Sequence, residues 1–309
     1  MINHILDYWD IPKNYDIQIR GNKEMEPHVW LINDNFFLKS VENKEIVENL
    51  EIITESLLES GLPAAAPIKT KSGELYIMEN GKTYFLTPML SGKTFDNYWE
   101  YDWQKYGNLV GQVIAHFQNA VKKSESFLSN IKSVDYYKKI TEWAVPIIKG
   151  NLSVEEIAKV LSPYDEYQSV FPSLYYKLPR QLIHNDFHGN NILFNGDTIS
   201  GFIDLDTYET NVRLFDPVYF AGWLLWRMRD DKDKWLPTLP AILSGYNSVN
   251  KLTDEEIDTV FFLFYSMDLY CIAVFLQANI NYKVKHNIES INWFMEKREY
   301  IQEFIINLT

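Results

Sequence analysis

The pattern of apolar and polar residues changes from strand-like to helical near residue 90, and this change limits the folds that the chain can adopt. Before it, short apolar runs alternate with turn residues; Val29–Ile32 and Phe36–Val41, on either side of an Asn-Asp-Asn turn, predict a β-hairpin. After Ser91 and Gly92, apolar residues recur at helical spacing over 103–121. Strands and helices that are segregated along the chain predict an α+β fold with a link near residue 90 and a ligand cleft between two lobes.

Local patterns refine this division. A helix is predicted over residues 43–60, because apolar residues recur there on one helical face and a glycine follows. The dipeptide Asn80-Gly81 predicts a second hairpin, with strands at 74–77 and 84–87. Strand signal returns over about 182–206, inside the otherwise helical part of the chain.

The charge balance excludes some classes of partner. Acidic residues outnumber basic residues by 42 to 29 in the 309-residue chain, and the formal net charge is −13. A nucleic-acid-binding protein needs an excess of lysine and arginine, so no nucleic-acid partner is expected. Cys271 is the only cysteine, which excludes an intrachain disulfide and a cysteine-rich metal site.

Two segments bear on where the protein resides. Residues 1–7 lack a basic stretch followed by an apolar run, so a secretory signal is not expected. Residues 260–280 are strongly apolar, but Asp268 near their middle would be unfavourable in lipid. We therefore predict a buried helix in this region and a cytoplasmic protein without a membrane partner, whereas nothing in the sequence indicates the oligomeric state.

The segment over 182–194 carries the residues best suited to chemistry. It contains Asp186 and, five residues later, Asn191, while Asp204 follows a short predicted hairpin. Phosphoryl transfer needs a carboxylate that accepts the proton of the attacking hydroxyl, which Asp186 would supply. It also needs oxygen ligands for a hard divalent cation, which Asn191 and Asp204 would supply. Asp and Asn are ordinary turn formers too, but two such motifs at this spacing beside apolar strands favour the catalytic interpretation.

The same residues resemble a known family. His184-x-Asp186-x4-Asn191, followed by Ile203-Asp204, is similar to the catalytic and metal-binding motifs of the aminoglycoside phosphotransferase and choline kinase-like family, which includes homoserine kinase II-like small-molecule kinases. The resemblance implies a protein-kinase-like bilobal fold, with a nucleotide-binding lobe over 1–90 and a catalytic, substrate-binding helical lobe over 91–309. It also implies ATP and Mg²⁺ as cofactors and phosphorylation of a hydroxyl group.

This resemblance assigns roles in the first lobe. Lys39, at the end of an apolar run, matches the strand lysine that contacts the α- and β-phosphates. The family pairs that lysine with a glutamate on the next helix, a position for which Glu48, Glu51 and Glu55 compete. At about 100° per residue, Glu51 lies closest to the edge of the apolar face of the predicted helix. Glu51 is therefore the predicted partner of Lys39, and a solvated helix glutamate is the alternative.

The segment over 85–92 resembles the interlobe hinge of these kinases. The resemblance implies that adenine bonds to the backbone carbonyl of Pro88 and the backbone amide of Leu90, with Thr87 as the gatekeeper. One feature departs from the protein-kinase pattern, because the stretch over 20–26 contains a single glycine and is short. Members of the small-molecule group often lack the glycine repeat, so ATP use is still expected.

Two further residues receive structural roles from the resemblance. His184 would be a buried, hydrogen-bonded residue that supports the catalytic loop. Asp216 would cap the backbone of that loop from the next helix.

The acceptor is predicted to be a small hydroxylated molecule, such as an amino-alcohol, an aminoglycoside or a sugar-like compound. In an extended segment Asp206 would lie on the same face as Asp204 and could reach the metal or the substrate. Asp268 is a carboxylate in a strongly apolar helix, so it needs a partner, either a protein group or a substrate ammonium. Two rival functions are a non-catalytic scaffold or nucleotide sensor of the same fold and, with less support from the motifs, a Ser/Thr protein kinase.

Overall fold

The computed structural model describes residues 2–20, 28–95 and 101–306, which form two compact units. Unit 1 comprises residues 1–94, 120–131 and 190–207, and unit 2 comprises residues 95–119, 132–189 and 208–309. Unit 1 is thus discontinuous in sequence. The assignment of nucleotide binding to residues 1–90 and of catalysis to residues 91–309 stays a prediction.

The described residues contain the following elements in chain order. The strands are β1 (Ile17–Arg20), β2 (Val29–Ile32), β3 (Phe36–Val41), β4 (Ile77–Glu79), β5 (Lys82–Pro88), β6 (Arg180–Ile183), β7 (Ile192–Asn195), β8 (Thr198–Phe202) and β9 (Glu209–Val212). The helices are α1 (Ile2–Leu6), α2 (Lys44–Glu59), α3 (Trp103–Lys122), α4 (Tyr136–Lys138), α5 (Val145–Asn151), α6 (Val154–Val160), α7 (Tyr164–Tyr175), α8 (Phe215–Arg227), α9 (Thr238–Val249), α10 (Asp254–Gln277), α11 (Asn281–Glu296) and α12 (Arg298–Ile306). A π-helix (Lys139–Ala144) joins α4 to α5, and short 3₁₀ helices lie at Glu125–Phe127, Leu205–Thr207 and Lys232–Trp235.

An antiparallel five-stranded sheet dominates unit 1, with the strand order β1-β2-β3-β5-β4. The predicted hairpin is confirmed as β2 and β3, which pair Ile32 with Phe36 across the turn. The predicted strand over 74–77 is shifted, because β4 begins at Ile77. Asn80 and Gly81 both have positive φ angles (51° and 76°), and this tight turn sets the register of β4 against β5.

Apolar residues on the strands and on α2 account for the packing of unit 1. Trp30, Leu38 and Leu86 form a buried cluster on the sheet with Trp9 and residues of α1. The predicted helix over 43–60 is confirmed as α2, and its apolar stripe, including Leu50 and Ile53, is buried. Burial of such a stripe against neighbouring elements is the main source of helix stability in a protein.

The hairpin of β7 and β8 packs into unit 1 although it comes late in the sequence. Phe202 bridges to Ala64, and the backbones of Lys93 and Phe194 exchange two hydrogen bonds of 2.9 Å. Gly92 makes this approach possible, because its φ angle is 130° and a Cβ atom there would collide with the Ser200 hydroxyl. The hairpin therefore brings the segment that follows β8 to the large sheet.

Unit 2 is mostly helical and contains the small β6–β9 sheet. Helices α6 and α10 begin with capping boxes, Ser153 with Glu156 and Thr253 with Glu256. Among the described residues, α10 is the helix that is long and apolar enough to cross a membrane, but 72% of its most apolar stretch is buried inside the protein. It packs against α5, α7, α8 and α11 of the same unit, as expected for the core helix that the sequence predicts.

Candidate active site

Unit 1 contains a cavity of about 590 Å³, and all of the described residues that line it belong to this unit. A cavity of this size suits a cofactor or small ligand. Its walls come from β3, from β5 and the residues after it, and from the segment around β7 and β8. Six predicted site residues line it, namely Lys39, Pro88, Leu90, Asn191, Asp204 and Asp206.

Lys39 forms the charged centre of this cavity. Its ammonium Nζ lies 2.6 Å from Asp204 Oδ1 and 3.4 Å from Asp206 Oδ2, and 15% of the side chain is exposed. Burial acts to lower the pKa of Lys39, but the charges of Asp206 and Asp204 outweigh it and raise the pKa above its ordinary value. The lysine therefore stays protonated and holds the two carboxylates together.

The predicted pairing of Lys39 with Glu51 is absent from the described structure. Glu51 contacts Lys69 instead, with 3.2 Å between Nζ and Oε1, and the side chains of Lys69 and Glu51 are 61% and 37% exposed. The reason is the local charge balance, since the two aspartates already neutralise Lys39 while a solvated lysine lies next to Glu51. A nucleotide-binding role for Glu51 stays a prediction.

The backbone after β8 places Asp204 and Asp206 differently from the extended segment that the sequence predicts. Strand β8 ends at Phe202, Asp204 has a φ angle of 60°, and Asp206 lies in the 3₁₀ helix Leu205–Thr207. Asparagine and aspartate tolerate this left-handed conformation better than most residues. The expectation of an extended segment is therefore wrong, but both carboxylates still reach the same lysine.

Asn191 lies just before β7 and is buried. The backbone carbonyl oxygen of Asn191 accepts a hydrogen bond of 3.1 Å from the backbone amide of Ile203. This bond fixes Asn191 beside Ile203, the residue that precedes Asp204. Within the described ranges there is no group of three or more histidine, cysteine, aspartate and glutamate residues that would suit a metal ion. The oxygen donors of Asn191 and Asp204 nevertheless fit a hard cation such as Mg²⁺, which usually takes one or two carboxylates and completes its shell with phosphate and water oxygens.

The hinge residues line the same cavity. Thr87 and Pro88 end β5, and the amide of Met89 donates a 2.7 Å hydrogen bond to the carbonyl of Asn35. Leu90 packs against Gly201, where a Cβ atom would collide with the leucine side chain. Of the stretch over 20–26, only Arg20 lies among the described residues, and it also lines the cavity.

Unit 2 positions Asp186 next to a tyrosine and a histidine. The Tyr219 hydroxyl donates a 2.7 Å hydrogen bond to Asp186 Oδ1, and Nε2 of His188 lies 3.5 Å from Asp186 Oδ2. His188 is stacked on Trp223, with ring centroids 5.5 Å apart and an interplanar angle of 16°. Burial and the charge of Asp186 raise the pKa of Tyr219 well above its ordinary value, so the hydroxyl remains a donor.

The loop that carries Asp186 is capped by a carboxylate of the next helix, as the sequence predicts. Asp216 accepts hydrogen bonds from the backbone amides of His184 (3.1 Å) and Asn185 (3.0 Å) and from the side-chain amide of Gln118 (3.0 Å). The cap predicted for Asp216 is therefore confirmed. His184 is buried as expected, and its ring lies against Phe117.

Tyr219 is a contributor to this site that the sequence did not predict, and Trp223 on the same helix stacks on His188. Tyr219 and Trp223 lie one turn apart on α8, after Asp216, so they share a helical face with the residue that caps the loop. That spacing is the signal that could have identified them.

Asp268 lies elsewhere, within the core of unit 2. It is buried among aromatic residues that include Phe264 and Tyr265, and Ser290 is its hydrogen-bonding neighbour. Burial raises the pKa of Asp268 to about 8, so at neutral pH the group is mostly uncharged. A neutral, enclosed carboxyl group does not fit the predicted role as the partner of a substrate ammonium.

The chain is similar to proteins of known activity. A sequence model of the phosphotransferase enzyme family matches residues 28–249. The homoserine kinase of Methylobacillus flagellatus is 25% identical over 213 residues, which are 69% of this chain and 62% of that enzyme. The chain thus spans less than two thirds of the length of this curated relative.

Solved structures match over nearly the whole chain. The microcompartment-associated aminopropanol kinase has a TM-score of 0.74 at 13% identity, over 100% of this chain and 99% of that one. An amicoumacin kinase, in a complex with AMP-PNP and Ca²⁺, has a TM-score of 0.67 at 14% identity, over 94% and 91% of the two chains. At such low identities the likeness establishes the fold alone, and it confirms the predicted α+β, kinase-like fold class.

Proposed function

Because the chain belongs to the phosphotransferase enzyme family, we propose that it transfers the γ-phosphate of ATP to a hydroxyl group of a small molecule. The observation that carries the proposal is the arrangement around Lys39, where one protonated lysine and two aspartates line a cavity large enough for a ligand. In phosphoryl transfer the protein acts mainly by positioning the reactants and by stabilising charge. The ammonium and the carboxylates of this cluster are groups that can do both.

The proposal gives each cavity residue a role toward the nucleotide. The carbonyl of Pro88 and the amide of Leu90 bind the adenine edge, and Lys39 contacts the phosphates. Asn191 and Asp204 hold Mg²⁺, which when bound neutralises charge on the phosphates. Asp206, which shares Lys39 with Asp204, keeps the lysine oriented toward that carboxylate.

Asp186 is the proposed general base. The hydroxyl of Tyr219 holds one oxygen of Asp186 at 2.7 Å, and a carboxylate fixed in this way can accept the proton of a hydroxyl placed next to it. In the proposal it orients the acceptor hydroxyl and takes its proton as the oxygen–phosphorus bond forms and the bond from the γ-phosphorus to the departing ADP breaks.

The acceptor class is proposed from the comparisons. Homoserine and aminopropanol, after which two of the similar proteins are named, are both small molecules that carry a hydroxyl and an amine. We therefore propose an amino-alcohol or a related hydroxylated compound. The fold alone does not specify this acceptor class, because the same fold occurs in an amicoumacin kinase.

A transfer assay with ATP labelled at the γ-phosphate tests the proposal. The parent protein and Asp186→Asn are incubated with Mg²⁺ and a panel that contains homoserine, aminopropanol, an aminoglycoside and a sugar. Label on a small molecule with the parent, reduced by about 10²–10⁴ in the variant, supports the proposal. Label that appears only on protein, or equal transfer by the variant, contradicts it.

A further inference from the structure

Helix α8 and the residues after it carry a group of cations around one aromatic ring. The guanidinium carbon of Arg227 lies 5.3 Å from the centroid of the Trp226 ring, and that of Arg229 lies 5.2 Å from it. Nζ of Lys283, on α11, lies 5.8 Å from the same centroid. Three cations within 6 Å of one tryptophan are far more than the usual single partner of a cation–π contact.

Two of these cations, Arg229 and Lys283, are the ones on which the charge argument depends. Arg229 and Lys283 form no ion pair with any residue in the part of the chain that the structure describes. The chain as a whole has a net charge of −13, so a concentration of positive charge on one surface departs from its average. Cations that are held close together and form no ion pair favour the binding of an anion.

A buried imidazole adds a second, independent observation. His286 is packed edge-on against Trp226, with 6.1 Å between ring centroids and an interplanar angle of 84°. The residue is 9% exposed, and its Nε2 atom has no hydrogen-bond partner among the described residues. A buried polar atom of a native protein normally has a partner, so an orphan atom next to a cation cluster indicates a missing ligand group.

The electrostatic environment of His286 agrees with this interpretation. Its pKa is lowered to about 4, first by burial and then by the charges of Lys232 and Arg229. Glu289 and Asp230 act in the opposite direction and are outweighed. The imidazole is therefore neutral at pH 7, and the field around it is positive even though two carboxylates lie nearby.

The cluster lies on the same stripe of α8 as the residues around the proposed base. Tyr219 contacts Asp186, Trp223 stacks on His188, and the Arg227 guanidinium carbon lies 5.4 Å from the Trp223 ring centroid. These three residues of α8 are spaced by four residues each, so they face the same side of the helix. Two turns separate Tyr219 from Trp226, which is roughly 10 Å along the helix axis.

From these contacts we infer that Trp226, Arg227, Arg229, Lys283 and His286 form a subsite for an anionic group of the acceptor molecule. The inference rests on the proposed function and narrows it: the acceptor carries a carboxylate or a phosphate group that is several bonds away from the hydroxyl. A polycationic acceptor such as an aminoglycoside is disfavoured, because the same cations would repel it.

Anion binding is tested first without any turnover. Inorganic phosphate is titrated into the whole protein while tryptophan fluorescence is recorded, with sodium chloride of equal ionic strength as the reference. We expect a saturable change that Trp226→Phe removes and that shifts to roughly tenfold higher phosphate concentration in Lys283→Met and in Arg229→Met. Lys285→Met is the matched control, since Lys285 is an exposed lysine on the same helix that is not a neighbour of Trp226. Equal midpoints in all three cation variants, or the same response to chloride, would overturn the subsite.

Turnover then distinguishes the two kinds of anion and separates the inference from the proposed function. The acceptors are ω-hydroxy carboxylic acids of increasing chain length, their neutral amides, and the corresponding diols with one phosphorylated end. We expect one anionic series to exceed its neutral counterpart by about tenfold in kcat/KM, and Lys283→Met to remove that preference without changing turnover of the amides. Phosphorylation of acids and amides at equal rates would sink the inference and leave the kinase proposal intact. Saturable phosphate binding without transfer to any acceptor in either panel would count against the kinase proposal and for the subsite.

Discussion

Two parts of the molecule hold the carboxylates of the proposed site in different ways. In unit 1, Asp204 and Asp206 share the ammonium of Lys39 at 2.6 and 3.4 Å. In unit 2, Asp186 accepts a hydrogen bond from the hydroxyl of Tyr219 and lies 3.5 Å from an imidazole nitrogen. The first arrangement fixes negative charge by opposite charge, and in the second a tyrosine hydroxyl holds one oxygen of the carboxylate.

The difference matches the tasks proposed for the two sets. A carboxylate that binds a cation must remain ionised, and a neighbouring ammonium favours the ionised form. A general base must accept a proton, and a strong ion pair would oppose this step. The comparison therefore predicts that changes in unit 1 alter nucleotide binding, whereas changes around Asp186 alter the rate of transfer.

The largest effect is expected for Lys39→Met. Loss of the ammonium removes a phosphate contact and leaves Asp204 and Asp206 to repel each other, so kcat/KM for ATP should fall by about 10²–10³. Lys44→Met is the control, because Lys44 forms an exposed pair of 3.2 Å with Glu48 on α2. Steady-state kinetics measure kcat/KM for both variants. A fall of similar size in Lys44→Met would contradict a specific role of Lys39 in binding the phosphates.

A smaller effect is expected for Tyr219→Phe. The hydroxyl holds one oxygen of Asp186, and a hydrogen bond to a charged group contributes roughly 1.5–3 kcal/mol, so kcat should fall about tenfold while KM for ATP stays constant. Tyr176→Phe is a matched control, because that exposed tyrosine donates a 3.0 Å hydrogen bond to Asp135 in the same unit. A rise in KM for ATP with unchanged kcat would show that Tyr219 does not act through the base.

Asp268 is a third carboxyl group for comparison, and few hydrogen-bond donors lie around it. Its pKa is about 8 in the folded protein against an ordinary value of 3.8, so between these values the folded state binds more protons than the unfolded state. The contribution of this group to stability is present in acid and is lost as the pH rises through about 8. Asp268→Asn has no carboxyl group to titrate at this position, so it does not lose this contribution. As the pH rises, its free energy of unfolding should therefore increase relative to that of the parent by up to about 1.4 kcal/mol per pH unit.

Urea unfolding at several pH values between about 5 and 8 measures this difference. Asp230→Asn, at an exposed position, is the control and should run parallel to the parent. A constant offset between Asp268→Asn and the parent would mean that Asp268 is ionised in the folded protein.

The smallest effect is expected for Glu51→Gln. The pair with Lys69 is solvent-exposed, so the free energy of unfolding should change by less than about 1 kcal/mol, and kcat should stay within about twofold of the parent. Urea unfolding and steady-state kinetics supply both numbers. A loss of activity as large as that of Lys39→Met would instead restore the pairing of Lys39 with Glu51 that the sequence predicts.

The sequence predicts the members of the unit 1 cluster better than their contacts. Lys39 and Asp204 are identifiable from strand pattern and motif spacing, but they are separated by 165 positions along the chain, and their ion pair depends on how the β7–β8 hairpin packs. Glu51 was favoured as the partner by the family resemblance and by helical periodicity, and neither of these includes the two aspartates that the fold brings to Lys39. The extended segment predicted through Asp206 failed because the left-handed φ of Asp204 is a property of the folded loop.

Around Asp186 the sequence predicts still less. The Asp216 cap is recognisable because it follows the motif at a characteristic place, and the structure confirms it. Tyr219 is one of 20 tyrosines in an aromatic-rich chain, and its spacing from Asp216 on α8 is the signal that could distinguish it from a core residue. Which aromatic side chain meets the base depends on the face that α8 presents, which is set by packing.

A paired measurement on Asp186→Asn and Asp204→Asn tests the central claim most directly. Calorimetry gives the affinity for ATP in the presence of Mg²⁺, and the transfer assay gives kcat for the same preparations. The account predicts that Asp186→Asn binds ATP like the parent but loses about 10²–10⁴ in kcat, while Asp204→Asn loses both binding and transfer. Full kcat in Asp186→Asn, or unchanged affinity for ATP in Asp204→Asn, would contradict the division of labour between the two sets of carboxylates.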